Sequence, residues 1–328
     1  MLSNGFNKNA KVAVLLGGNS AEREVSLQSG EAVFQALIKQ NINAVKIDPQ
    51  MNLLAQLNQE KPDMAFIALH GVGGEDGTIQ GLLEFYGLPY TGSDVKASAL
   101  CMDKWRTKLI WQALGLPTPK FIQAHTVNEL EVFAQGVGVP LMVKPALEGS
   151  SIGISKVNDL SELEGAFKAA KETGSPVLAE QFISGKEFTI AILDDKALPV
   201  IQLKTANDFY DYNAKYIQDD TEYLIPCGLS EQQEKDLQKL ALNAYKALDC
   251  KGWGRVDVMQ GSDNKFWLIE ANTVPGMTGH SLVPMALNKF CKKHPHANIS
   301  ITIKSRRELL HWERGEHFDV ALASLPFE

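Results

Sequence analysis

The sequence predicts an α/β protein whose first third is a parallel sheet with helices on its faces. Three observations carry that expectation. Between Lys11 and Leu69, short apolar runs alternate with amphipathic helical stretches, the pattern that yields parallel sheets. Gly115-Leu116-Pro117-Thr118-Pro119 then reads as a linker into a strand-rich remainder. At 328 residues, 45% hydrophobic and 22% charged, the chain has an ordinary globular balance and room for two or three domains.

The elements follow in order. Lys11–Leu16 reads as a buried strand, Gly17-Gly18-Asn19-Ser20 as a turn and Glu22–Lys39 as a helix. A strand at Ala44–Ile47, a helix near Met51–Gln59 and a strand at Met64–Leu69 complete the first alternation. Ligands of such sheets bind at the carboxyl ends of strands, where GGNSAE and HGVGGEDG lie. Gly77–Tyr86 is expected to be helical, Leu88-Pro89-Tyr90 a short strand, and Ser93–Leu114 helical with a break near Asp103. Beyond the linker come strands at Phe121–Ala124 and Leu141–Lys144, a helix near Asn128–Gln135, and a small-residue loop from Pro145 to Gly153 leading to a strand at Ile154–Val157. A helix at Ser161–Glu172 precedes strands at Val177–Ile183, Glu187–Leu193 and Leu198–Lys204. Asn207–Leu224 is long, polar and rich in tyrosine, the character of a lid. Glu231–Leu248 is an amphipathic helix.

Composition excludes several classes. The net charge of −7 comes without a dominant basic block, which argues against nucleic acid as the main partner. The four cysteines form no CxxC pair and read as reduced thiols. Val12–Leu16 is too short for a signal peptide or a membrane span, so a cytoplasmic protein is expected. The GxGxxG spacing is absent after Gly17-Gly18, and GxxxxGK[ST] occurs nowhere. These two absences set aside a dinucleotide fingerprint and a P-loop.

The chemistry concentrates at Gly252–Asn272. Arg255–Met259 and Phe266–Ala271 flank a Gly/Ser/Asp/Asn turn, the hairpin signal. A turn centred between Asp263 and Asn264 sets Asp257 opposite Glu270 and Arg255 opposite Asn272, all on one face. Val256, Val258, Ile269 and Ala271 then face a core. Opposed carboxylates repel, and Mg²⁺ with phosphate oxygens is the natural charge between them. Each feature has a plain alternative: a solvated hairpin face, a helix-terminal acid at Glu22, a hydrogen-bonded core histidine at His70, and a glycine-rich loop with surface lysines at Lys104 and Lys144.

Taken together, GGNSAEREVSL, ALHGVGGEDGTIQG, LPYTGS, MDKWRTK, VKPALEGSSIG, EFTIAIL, FYDYNAKY, DCKGWGRVDV and LIEANTVPGMTGHSLVPMA are collinear. In that order the chain resembles the D-alanine–D-alanine ligases of the ATP-grasp superfamily. The resemblance implies three consecutive α/β domains, an N-terminal parallel-sheet domain followed by an ATP-grasp pair, here at 1–115, 116–190 and 191–328. It implies ATP and two Mg²⁺ (or Mn²⁺), two D-alanines as substrates and a homodimer. The implied product is D-alanyl-D-alanine for peptidoglycan precursors, with a D-alanine–D-lactate ligase or a non-catalytic ATP-binding module as alternatives. By the same resemblance Glu22, Ser150, Tyr216 and Arg255 are catalytic. Lys104, Lys144, Ser151, Glu180, Phe182, Ile183, Glu187, Phe209 and Lys215 bind ATP. Glu22, His70, Gly276, Ser281 and Leu282 bind D-alanine, and Asp257, Glu270 and Asn272 hold the metals. The resemblance weakens after about Ala286, where the basic, proline-interrupted Asn288–His296 stands in place of the expected amphipathic helix.

Overall fold

The computed structural model describes residues 10–149, 152–204, 221–279 and 281–293. Three sheets organise them. In the first, β1 (Val12–Leu15) lies between β2 (Ala44–Ile47) and β3 (Met64–Ile67), all parallel. Helices α1 (Arg23–Lys39), α2 (Leu53–Glu60) and α3 (Thr78–Tyr86) pack around it. The alternation of β1 explains why every position of the strand is apolar. Val12 and Val14 enter one cluster, with α1, while Ala13 and Leu15 enter another, with α2 and α3. The segment expected as a strand at Leu88–Tyr90 makes only an isolated bridge, Ala65 to Tyr90.

The expected break at Asp103 separates α4 (Val95–Met102) from α5 (Lys104–Ala113). Asp103 caps α5, its side chain accepting from Arg106 N. Ala97 and Cys101 of α4 and Trp111 of α5 pack on the third sheet, away from the first. The second sheet has the order β4 (Phe121–Ala124), β7 (Val177–Gln181), β5 (Leu141–Pro145), β6 (Ser155–Val157), all antiparallel. Helices α6 (Val127–Val137) and α7 (Leu163–Lys171) cover one face. Leu141, Val143, Val177 and Ala179 point to them, so Lys144 and Glu180 fall on the opposite face.

The third sheet is built from β8 (Gly185–Leu193), β9 (Lys196–Ala197), β10 (Ile201–Lys204), β11 (Glu222–Leu224), β12 (Trp253–Gly261) and β13 (Phe266–Asn272). The strand expected from Leu198 begins only at Ile201, because Pro199 has no N–H to donate. The division expected at residue 190 falls inside β8, which pairs with β12 along its whole length. One face of this sheet is closed by α8 (Glu231–Ala247) with α4 and α5. The other packs on α9 (Leu282–Lys293), whose Leu282, Val283 and Ala286 join a cluster that reaches Val12, Val14 and Phe66 of the first sheet. An amphipathic helix is therefore present over Leu282–Lys293, where the sequence predicts a break in the pattern.

The hairpin pairing corrects its expected geometry. Asp257 does face Glu270, and Arg255 faces Asn272. Toward the tip, however, Val258 pairs with Leu268, with a register shift between Asp257 and Val258. Ile269 is the extra residue of a β-bulge. Leu268, not Ile269, is the fully buried core residue.

Candidate active site

Glu22 stands at the N-cap of α1 but makes no capping hydrogen bond with its side chain. Its carboxylate instead enters a cleft lined by His70, Glu75, Lys104, Gly149, Arg255, Glu270, Asn272, Gly276, Ser281 and Leu282 among others. Two glycines make room for it. A Cβ on Gly149 would lie 2.6 Å from Glu22 Oε2, and one on Gly71 2.8 Å from the same oxygen. Ser20 fixes the turn before α1 by donating to His70 O at 2.6 Å.

His70 is buried between two partners. Its Nδ1 lies 3.0 Å from Glu75 Oε1 and its Nε2 3.3 Å from Ser29 Oγ. Ser29 Oγ in turn accepts from Met277 N at 3.2 Å. This chain links the loop after β3, through α1, to the segment after β13. Burial raises the Glu75 carboxyl above its ordinary value, with His70 partly opposing the shift.

On the hairpin, Asp257 accepts from Thr189 Oγ1 at 2.7 Å and pairs with Arg255 Nη2 at 2.8 Å. Glu270 lies 4.0 Å from Lys104 Nζ. The break at Asp103 aims Lys104 at the Pro145–Gly149 loop, where its backbone N–H bonds Ala146 O at 3.0 Å and its ammonium bonds Glu148 O. Asn272 Oδ1 accepts from Val274 N at 3.0 Å, which leaves that oxygen a second lone pair. Ser281 Oγ accepts from Thr278 N at 2.9 Å just before α9, and Gly276 is kept small because a Cβ there would lie 2.8 Å from that Oγ.

The structure thus brings Glu22, His70, Lys104, Arg255, Glu270, Asn272, Gly276, Ser281 and Leu282 to one cleft, with Asp257 behind Arg255. Lys144 and Glu180 form a separate buried group. Lys144 Nζ pairs with Glu180 Oε1, while Lys108 Nζ lies 2.7 Å from Glu180 Oε2. Burial works against the Glu180 charge, but the two ammonium groups hold its carboxyl below the usual range. Phe182 N donates to Pro140 O at 3.2 Å, and Lys156 Nζ sits 4.5 Å from its ring centre. Ile183 sits beside the hairpin end at Gly261. Glu187 pairs in register with Met259 and Leu203. Ser150, Ser151, Phe209, Lys215 and Tyr216 lie outside the described residues.

Three contributors carry no sequence-based assignment: Glu75, Ser29 and Lys108. Glu75 lies within HGVGGEDG and Lys108 within MDKWRTK, so the motifs flagged their neighbourhoods but not their partners. Ser29 sits inside α1 with no local signal. Its role exists only through residues 41 and 248 positions away.

Comparison with known proteins matches this architecture. The family model described as D-ala D-ala ligase C-terminus covers residues 110–294, and that described as D-ala D-ala ligase N-terminus covers 49–93. The D-alanine–D-alanine ligase of Marinobacter nauticus is 57% identical over 276 residues, spanning 84% of this chain and 85% of the relative. That of Stutzerimonas stutzeri is 55% identical, spanning 84% and 88%. Among solved structures, a Bacillus anthracis D-alanine–D-alanine ligase complexed with ATP superposes with a TM-score of 0.74 at 34% identity, covering 85% of this chain and 91% of that one. The VanG D-Ala:D-Ser ligase of Enterococcus faecalis gives 0.73 at 32% identity, covering 85% and 94%. On the extent and identity of these matches, the chain belongs to the D-alanine–D-alanine ligase family.

Proposed function

We propose that this protein joins two D-alanines into D-alanyl-D-alanine at the expense of ATP, supplying peptidoglycan precursors. The observation that carries the reading is the meeting of Glu22, Lys104, Arg255 and Glu270 in one cleft. An ammonium acceptor, a phosphate-binding cation and an oxyanion stabiliser stand there together. A carboxylate is a poor acyl donor because oxide is a poor leaving group. Transfer of the γ-phosphoryl group to the first D-alanine gives an acyl phosphate, and attack by the second amine releases phosphate.

The chain's residues divide this work. Glu22 receives the first ammonium, and His70, held by Glu75 and Ser29, lines that subsite. Lys104 and Lys144 hold phosphates, and Glu180, Phe182, Ile183 and Glu187 take the adenosine. Arg255 stabilises the developing oxyanion, worth about 3–4 kcal/mol for one well-placed donor. The second carboxylate meets Gly276, Ser281 and the backbone N–H groups that open α9 at Leu282. Asp257, Glu270 and Asn272 offer hard oxygen donors suited to two Mg²⁺ or Mn²⁺. Among the described residues no group of three or more His, Cys, Asp or Glu makes a self-sufficient metal site, so phosphate oxygens would complete the shell. Bound metal neutralises phosphate charge during transfer. Ser150, Ser151, Phe209, Lys215 and Tyr216 belong to this proposal through the resemblance alone.

The relatives at 55–57% identity favour D-alanine over D-lactate as acceptor. We divide the chain into domains at the linker Gly115–Pro119 and at residues 182–184, where the sheet changes between β7 and β8. Among the described residues no helix is long and apolar enough to cross a membrane, which fits cytoplasmic work. A homodimer through α2 and α3 is favoured by Phe85, 98% exposed beside Tyr86, with Met51 and Leu54 exposed nearby. The test is phosphate release with Mg·ATP and D-alanine, L-alanine, or D-alanine plus D-lactate. Release with D-alanine and a dipeptide product supports the reading. No release, or a depsipeptide as main product, overturns it.

A further inference from the structure

Lys108 has no part in the chemistry above, yet it is fully buried. Its ammonium lies 2.7 Å from Glu180 Oε2 and 2.9 Å from Thr118 Oγ1. Thr118 donates onward to Leu268 O of β13 at 2.9 Å. Lys108 therefore ties α5, the linker, the second sheet and the third sheet at one point. Its partner Glu180 already has a cation, because Lys144 pairs with Oε1. A neutral Lys144–Glu180 pair would satisfy the fold. A second buried ammonium adds a net positive charge, which burial penalises, and burial pushes Lys108 down to about 8. Such a cost asks for a return elsewhere.

Two facts locate it. Glu180 Oε2 is buried against Lys108 Nζ at 2.7 Å, so Lys108 neutralises the oxygen that Lys144, paired with Oε1, does not. And Lys144, once drawn to a phosphate, would leave Glu180 without a counter-ion if Lys108 were absent. An ionised carboxylate only accepts hydrogen bonds; a protonated one also donates. Adenine presents an exocyclic amine, a donor. Hypoxanthine presents a carbonyl there, an acceptor that an ionised carboxylate rejects.

We propose that Lys108 is a positioning residue for nucleotide specificity: it keeps Glu180 ionised while Lys144 serves phosphate, and so makes the site prefer a purine with an exocyclic amine over one with a carbonyl. The proposal rests on Glu180 contacting the base, as read above.

The test compares kcat/KM for ATP and for ITP in the full-length protein at saturating D-alanine, together with thermal melting. Lys108→Met should lower the ATP-over-ITP preference by about tenfold or more with the melting temperature unchanged or higher, and Lys108→Arg should restore the preference. If Lys108→Met does not fold, Lys108→Gln, which keeps a donor without the charge, carries the same test. An unchanged preference in Lys108→Met while Glu180→Gln loses it would overturn the role of Lys108 alone. An unchanged preference in Glu180→Gln would overturn the base contact itself, and the proposal with it.

Discussion

The carboxylate of Glu22 is positioned as much by what is missing around it as by what is present. Gly71, at φ +68°, and Gly149 leave the space its oxygens fill. Gly149→Ala should push the carboxylate aside and raise the KM for the first D-alanine about tenfold, a loss of about 1.4 kcal/mol, with little change in melting temperature. Steady-state kinetics at low D-alanine checks this; an unmoved KM would mean that the loop yields instead. Lys108 gives a pH dependence of known sign. Its folded value, about 8, lies below the ordinary 10.5, so the unfolded chain holds the proton more tightly. Stability from this group therefore rises as pH goes from about 8 to 10.5. Urea unfolding across that range checks it. Lys108→Arg, whose charge persists throughout, should flatten the rise between about 8 and 10.5, and an identical rise in the variant would assign it to another group. Glu22 and the hairpin acids were legible in sequence because motif and local geometry both mark them. Glu75, Ser29 and Lys108 were not, because each is defined by a partner far along the chain.

At the level of elements, periodicity was a good guide wherever both faces had a clear destination. The alternating strands β1 and β12 and the helix α8 follow their apolar pattern closely. It misled in two places. An unbroken ladder puts Ile269 on the hairpin's inner face, and the bulge exchanges it for Leu268 in the core. Basic residues crowd the C-terminal half of the helix that continues past Ala286 and mask its apolar period. Its apolar face nonetheless runs from the buried Leu282, Val283 and Ala286 to the partly buried Phe290, and lysines suit a helix C-terminus. Val283→Ala, at a position 1% exposed, should cost about 2 kcal/mol from lost methyl burial and the cavity left behind. Urea unfolding measures it. A change below about 0.5 kcal/mol, the range of a surface substitution, would mean that α9 is not part of the folded core.

For the whole molecule, one apolar cluster runs from α1 and β1 through α9 to β8 and β10. The first and third sheets are thus stitched by a helix close to the end of the family match at residue 294. A chain ending at residue 294 should retain both activity and melting temperature, since the cleft and every cluster described here lie before it. A drop of several degrees, or loss of turnover, would assign residues 295–328 a role. The three-sheet plan was legible because strand–helix alternation, linker composition and hairpin signals each mark their own region. The docking of α4 and α5 onto the third sheet was not, because the Ser93–Leu114 sequence does not say which sheet its apolar stripe will meet.

The single surplus residue at Ile269 acts as a phase corrector between the hairpin's tip and its chemistry. Residues 262–264 are exposed and lie on the far side of that correction from the Asp257–Glu270 rung. A peptide tag or fluorophore grafted there would ride on the enzyme without moving its acids. Deleting residue 269 would do the opposite, trading which side of the ribbon each downstream side chain serves. The tip is a free handle for engineering, and the bulge is the stop that keeps it free.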